Sequence, residues 1–363
     1  MPTTDQHKQS FADVVRHFNP AWFSAVMGTA VVPLAVSFMT PGFARPVSAV
    51  FMVISAVMFF AILVPWTIRL FTDRDAVMKD LDHPVAANFF PTMPIALILL
   101  ALDLLKYDDL LLPASVSREA AWVLWLIGSA GIYVLGFIVL ARIFRHPDIT
   151  LQHTNFGLYI PPVSKLLIPV AGLELAGVFP DRFEVAFLLS MVSLGVGFFL
   201  FLFVGATVYQ RHILEPLPMS RFAATSFISV APTAIVAVVL FKLDHLFQLG
   251  VPIGWDPAVV SSLAGFGIVV AWGFALWAFV MAVIVVTGYV LAVDLPYALS
   301  WWAFAFPSGA LAVSSGVAWK ATGFETIHWI YRGSVWFLLA VWTLVLVRTL
   351  HGVATGKVFA PAH

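Results

Sequence analysis

The chain has 363 residues, 61% hydrophobic and 10% charged, with 19 basic and 19 acidic side chains in balance. A soluble domain carries about 45–50% apolar and about 25% charged residues, so the composition excludes one and predicts an all-α polytopic membrane protein. Zero net charge argues against a nucleic-acid partner, and a chain without cysteine has no disulfide, thiolate metal site or iron–sulfur cluster.

The opening MPTTDQHKQS is polar, and the first apolar run begins at Pro20 with no small-residue cleavage site after it. A retained first span is expected, not a signal peptide. Hydropathy predicts ten spans, at 20–39, 46–71, 85–105, 117–144, 155–176, 183–211, 221–243, 257–290, 296–320 and 329–350. The expected organisation is a cytoplasmic segment over 1–19, a ten-helix membrane domain over 20–350 and a cytoplasmic tail over 351–363. No connection is long enough for a soluble domain. With both termini cytoplasmic, that side holds eleven Lys and Arg residues against seven opposite, the bias expected of the inner face of a cytoplasmic membrane.

Prolines are spread unevenly. Pro20, Pro46, Pro257 and Pro296 fall at first-turn positions, where a missing N–H does no harm. The odd spans hold Pro33, Pro91, Pro94, Pro161, Pro162, Pro169, Pro232 and Pro307 inside, whereas among the even spans only Pro65 is interior. Interior prolines kink helices. The alternation predicts five helical hairpins around a central pore, with the five kinked helices inside, and transporters often place their site at such a repeat axis. Ser24, Phe90, Lys165, Pro232 and Phe306 are expected to approach that axis.

The fifth span, NFGLYIPPVSKLLIPVAGLELA, carries three prolines and a lysine. Leu158, Pro162, Lys165, Pro169 and Gly172 share one helix face by spacing. A charge near the bilayer centre costs about 2.5–3.5 kcal/mol on insertion scales. One reading is that this face lines an aqueous path where Lys165 attracts anions. The others are a lysine snorkelling to one interface or pairing with a carboxylate between helices. Glu174 lies nine positions later, on the opposite face, and is either solvated near the helix end or a coupling site. Lys106, Lys242 and Lys320 each end an odd span on one side; they form either a positive vestibule or separate interfacial anchors. Asp73, Asp75, Asp80 and Asp82 alternate with Arg74 and Lys79 in what reads as a solvated turn.

The ten histidines show no paired metal-ligand spacing, and no nucleophile-elbow or phosphate-loop motif occurs in a strand–helix setting. No metal, cofactor or enzymatic activity is expected.

Four stretches carry a family resemblance: HFNPAWFSAVMGTA (His17 to Ala30), HPVAANFFP (His83 to Pro91), YIPPVSKLLIPVAG, and WWAFAFPSGALAV (Trp301 to Val313). With the ten-span layout, they resemble the tellurite-resistance/dicarboxylate transporter family of malate permeases, sulfite efflux proteins and plant slow-type anion channels. Many relatives carry MGTG where this chain has MGTA, ending at Ala30. The resemblance implies a homotrimer in the lipid bilayer, with a pore in each subunit enclosed by five hairpins. It also implies a phenylalanine of the ninth helix as pore plug, which maps to Phe306, with Phe304 the second choice. Gly309 and Ala310 share the face of Phe306 and are expected to leave open space beside its ring. The expected substrate is a C4-dicarboxylate such as malate, then sulfite or another inorganic anion. A channel and a proton-coupled carrier share this architecture. The reading from another class is a membrane-embedded binding or sensor protein without transport.

Overall fold

The computed structural model describes residues 10–145, 150–151, 154–293, 295–356 and 358, and among these there is no strand. Lys8 and Lys357, counted in the charge bias, lie outside the described residues. Ten long helical segments follow in order: α1 Pro20–Val36, α2 Pro41–Thr72, α3 Ala86–Lys106, α4 Ala114–Arg145, α5 Phe156–Val178, α6 Pro180–Leu214, α7 Ser220–Gln248 and α8 Pro257–Ala292. The chain closes with α9, a 3-10 stretch Leu299–Phe304 running into Ala305–Thr322, and α10 Glu325–Ala354. All but α1 and α9 are long and apolar enough to cross a membrane.

Consecutive helices pack in pairs, α1 on α2, α3 on α4, α5 on α6, α7 on α8 and α9 on α10. The odd helices also pack on one another in sequence, and α9 returns to α1, closing a ring of five. The apolar stretches of α3, α5 and α7 are mostly buried, while those of the even helices are mostly exposed. Exposed Phe60, Phe137, Phe203 and Phe266 put apolar side chains where lipid would replace water. Burial thus alternates along the chain, with α3, α5 and α7 inside and the even helices outside.

Aromatic donors tie the two layers. Trp125 of α4 donates to the Ile168 carbonyl of α5, Trp272 of α8 to Ser315 of α9, and Trp342 of α10 to Thr29 of α1, all at about 3.0 Å. Tyr331 of α10 donates to the Ala35 carbonyl of α1 at 2.9 Å. Each satisfies the polar tip of a buried side chain, where an unmade hydrogen bond is expensive.

The expectation that prolines kink the inner helices needs correction. Pro161, Pro162 and Pro232 occupy the first turn of an α segment that follows a 3-10 stretch, and Pro307 is the third residue of another. Pro91 is itself the N-cap, with Pro94 two residues inside. Only Pro33 and Pro169 lie inside odd helices, and Pro46 lies inside α2, which starts earlier than expected, at Pro41. Pro296 precedes α9 altogether. First-turn prolines remove N–H groups that have no helical partner, so they mark a junction instead of a bend. All five inner helices have this 3-10 to α junction. A hydroxyl beside each donates to a carbonyl three or four residues back: Ser24, Thr92, Ser164, Ser226 and Ser308.

The acidic segment after α2 faces solvent as expected, with Arg74, Asp75, Lys79 and Asp82 exposed, but it is not a turn. It forms a helix, Arg74–Asp82, whose Asp73 cap accepts from Ala76 N. Asp80 accepts from buried Arg69 at 2.7 Å, Arg69 also donates to the Phe18 carbonyl, and Asp82 pairs with Arg142 of α4. The charges lock the connection onto the bundle.

Candidate functional site

Two cavities lie where all five inner helices meet. The first, about 40 Å³, is at their starting ends and is lined by Ser24 and Met27, Thr92 and Ile95, Ile160 and Val163, Ile228, and Trp302 and Phe306. The second, about 400 Å³, is at their finishing ends, with Leu34, Leu102, Val170, Val238 and Val313 as its apolar wall. The wall residues repeat at seven positions: Met27 and Leu34, Ile95 and Leu102, Val163 and Val170, Phe306 and Val313. Seven residues are two turns of one face, about 10.5 Å of rise. On the same faces between the two levels stand Val31, Leu99, Leu167, Ile235 and Ala310, all buried. The axis thus carries a small cavity, an aliphatic layer and a wider cavity.

The wider cavity holds the charge. Lys106 of α3, Lys242 of α7, Lys320 of α9 and Glu174 of α5 all line it. Of the two sequence readings for the three lysines, separate anchors and one cluster, the geometry corresponds to the cluster. Glu174 accepts from Lys242 Nζ at 2.5 Å, with both side chains about a fifth exposed. Lys106 lies 5.8 Å from the Phe38 ring centroid and Lys320 4.7 Å from that of Trp319, and neither makes an ion pair with a described carboxylate. Lys106 and Lys320 lie in the last turn of their helices, where aligned peptide dipoles favour a cation.

The residues singled out in the sequence divide between the axis and the outside. Ser24 and Phe306 line the smaller cavity. Phe90 instead packs edge-on against Trp66 of α2, and its neighbour Phe89 faces the cavity. Pro232 and Pro169 are buried and line neither cavity, their places being taken by Ile228 and by Val163 and Val170. Phe304 packs edge-on against Phe227 at 4.9 Å, away from the axis. Lys165 and Pro162 line a third, mostly apolar cavity of about 870 Å³ between α4, α5 and α6. There Lys165 Nζ donates to the Pro161 carbonyl at 3.2 Å and sits against Gly136, where a methyl group would come within 2.6 Å of it. Gly172, on the same face, meets Ser190 of α6 and Trp125 of α4. The face chosen for its charge points outward, and the opposite one, Ile160, Val163, Val170 and Glu174, points to the axis.

Nor does Gly309 leave open space beside Phe306. A methyl group there would lie 2.3 Å from the Val31 side chain, so the glycine admits α1 against α9. Missed in the sequence were Thr92, Ile95, Val163 and Ile228 as axis residues, and the Glu174–Lys242 pair. The seven-residue recurrence was the available signal.

The family described as SLAC1, voltage-dependent anion channel, matches residues 17–350. An uncharacterized transporter of Methanocaldococcus jannaschii is 35% identical over 97% of this chain and 98% of its own length. A second from the same organism is 32% identical over 95% and 97%. The S-type anion channel SLAH2 of Arabidopsis thaliana is 23% identical over 71% of this chain and 43% of its own length.

Proposed function

The chain belongs to the SLAC1 family of voltage-dependent anion channels, and from that premise we propose that it moves a small anion along the axis enclosed by α1, α3, α5, α7 and α9. The ten helices then cross the membrane as five hairpins, and the subunit works as one of three in a homotrimer. Both termini face the cytoplasm, on the bias of Lys and Arg between loops. The family is of transporter and channel type, in keeping with the absence of an enzymatic motif from the sequence.

The observation that carries the reading is the convergence of Lys106, Lys242 and Lys320, from three different helices, on one axial cavity. Cations in a concave, low-dielectric mouth concentrate anions and speed their arrival. Anion attraction, assigned from the sequence to Lys165, passes in this reading to these three. A cavity of about 400 Å³ with three lysines has room and charge for a C4-dicarboxylate such as malate, the first choice of substrate. Sulfite or another inorganic anion is the second.

Phe306 serves as the gate in this reading. Its ring stands in a constriction whose cavity is only about 40 Å³, lined mainly by aliphatic groups. The hydroxyls of Ser24 and Thr92 there donate to backbone carbonyls, so the surface offered to an ion is apolar. An apolar constriction of that size blocks ions sterically and by dewetting.

Uptake of labelled malate, sulfite and chloride into proteoliposomes tests the proposal. Flux of at least one above protein-free vesicles is expected, weakened by Lys106→Gln and Lys320→Gln. Wild-type protein that is folded and moves none of them would refute it.

A further inference from the structure

The Glu174–Lys242 contact sits inside the proposed anion path, not beside it. Three lysines with no counter-charge would hold an anion well, and conduction also requires that the anion leave. Glu174 is the one carboxylate among the described residues lining that cavity, and its oxygen occupies the ammonium group an incoming anion would seek. It is itself a tethered anion, competing with the mobile one.

We infer that Glu174 is a release and selectivity residue of the anion path: it holds Lys242 in reserve, lowers the charge of the mouth from three positive to two, and so sets the strength and valence dependence of anion binding. The inference rests on the anion-transport reading above. Coulomb energy scales with the product of charges. Removing the Glu174 charge therefore helps every anion, and helps a dianion by about the square of the factor for a monoanion. An anion held more tightly leaves more slowly.

Glu174 could instead be a plain clamp between α5 and α7. Charge counting separates the two. Glu174→Gln leaves a mouth of three positive charges, Lys242→Gln leaves one, and the double variant restores the wild-type two. A clamp makes the single variants alike, both losing folded protein. A competing counter-charge makes them opposite in sign, with the double variant close to wild type.

The experiment is flux against concentration in proteoliposomes for chloride and for sulfate, normalised to folded protein. Glu174→Gln is expected to lower the half-saturating chloride concentration about fivefold and that of sulfate by about the square of it, with lower maximal flux. Lys242→Gln is expected to raise both, and the double variant to return them to within about twofold of wild type, since it keeps the wild-type charge of the mouth and the attraction scales with that charge. An unchanged or raised half-saturating concentration in Glu174→Gln, or the same factor for chloride and sulfate, would overturn the inference. If wild type transports and Lys106→Gln weakens it while Glu174→Gln changes nothing, only the Glu174 inference falls. If folded wild type moves no anion, the transport reading falls and takes it along.

Discussion

Lys165 and Glu174, nine residues apart on one helix, face opposite ways: Lys165 toward Gly136 of an outer helix, Glu174 onto Lys242 of an inner one. Nine residues turn an ideal helix through 900°, which is a half-turn remainder. The two charges of the most proline-rich segment therefore report on different surroundings, and their substitutions should behave differently.

Lys165 is buried in an apolar cavity, and no carboxylate of the described residues pairs with it. Lys165→Met is expected to fold as well as wild type or better, because removing such a charge is worth about 2.5–3.5 kcal/mol on insertion scales. Anion flux per folded molecule should stay near wild type. A large loss of flux at unchanged folded yield would return Lys165 to the path.

Lys106 and Lys320 are exposed in the axial cavity, and neither pairs with a carboxylate of the described residues. Replacing both with Gln should raise the half-saturating anion concentration about tenfold and steepen nothing else, the effect fading at high salt as the remaining charges are screened. Flux that is insensitive to both substitutions at low ionic strength would detach the cavity from transport.

Phe306→Ala enlarges a cavity of about 40 Å³ on the axis and should raise basal anion flux. A phenylalanine that only packs would instead cost about 3–5 kcal/mol on truncation and lower the folded yield. The aliphatic layer beneath, with Leu99 and Leu167, remains in that variant, so Phe306→Ala combined with Leu167→Ala should conduct more than either alone. Flux per folded molecule at or below wild type in all three would remove the gate role. Phe304→Ala serves as the control, since that ring packs on Phe227.

Gly309 faces Val31 so closely that even Ala overpacks the α1–α9 contact. Gly309→Ala should cost about 1–3 kcal/mol, read as a lower melting temperature of the purified protein. Val31→Ala in the same chain should recover part of that loss. Additive destabilisation in the double variant would show that the two residues are not in contact.

Hydropathy and proline placement located the helices within a few residues, though the interior prolines, two in odd helices and two in α2, did not themselves separate inner from outer. Both properties are local to a segment, and lipid contact demands continuous apolar surface while buried helices tolerate prolines and hydroxyls. Where the prolines act was less legible, because Pro161 and Pro232 look interior only until a 3-10 stretch is seen to precede them. A hydropathy window cannot tell that stretch from α-helix.

The direction each face takes was decided only by tertiary structure. From the sequence, a lysine among prolines on α5 made its own face look like the water-lined one. In the fold, α4 and α6 cover that face and leave a pocket for the lysine stem, while the smoother Ile160, Val163 and Val170 face packs toward four other helices around an axis. The union of Lys106, Lys242, Lys320 and Glu174 is of the same kind. Each lay at the end of its own segment, separated by dozens of residues, and only ring closure from α9 back to α1 brings those ends around one cavity. Periodicity along a helix states which residues share a face; what the face meets depends on neighbours that the segment itself does not encode.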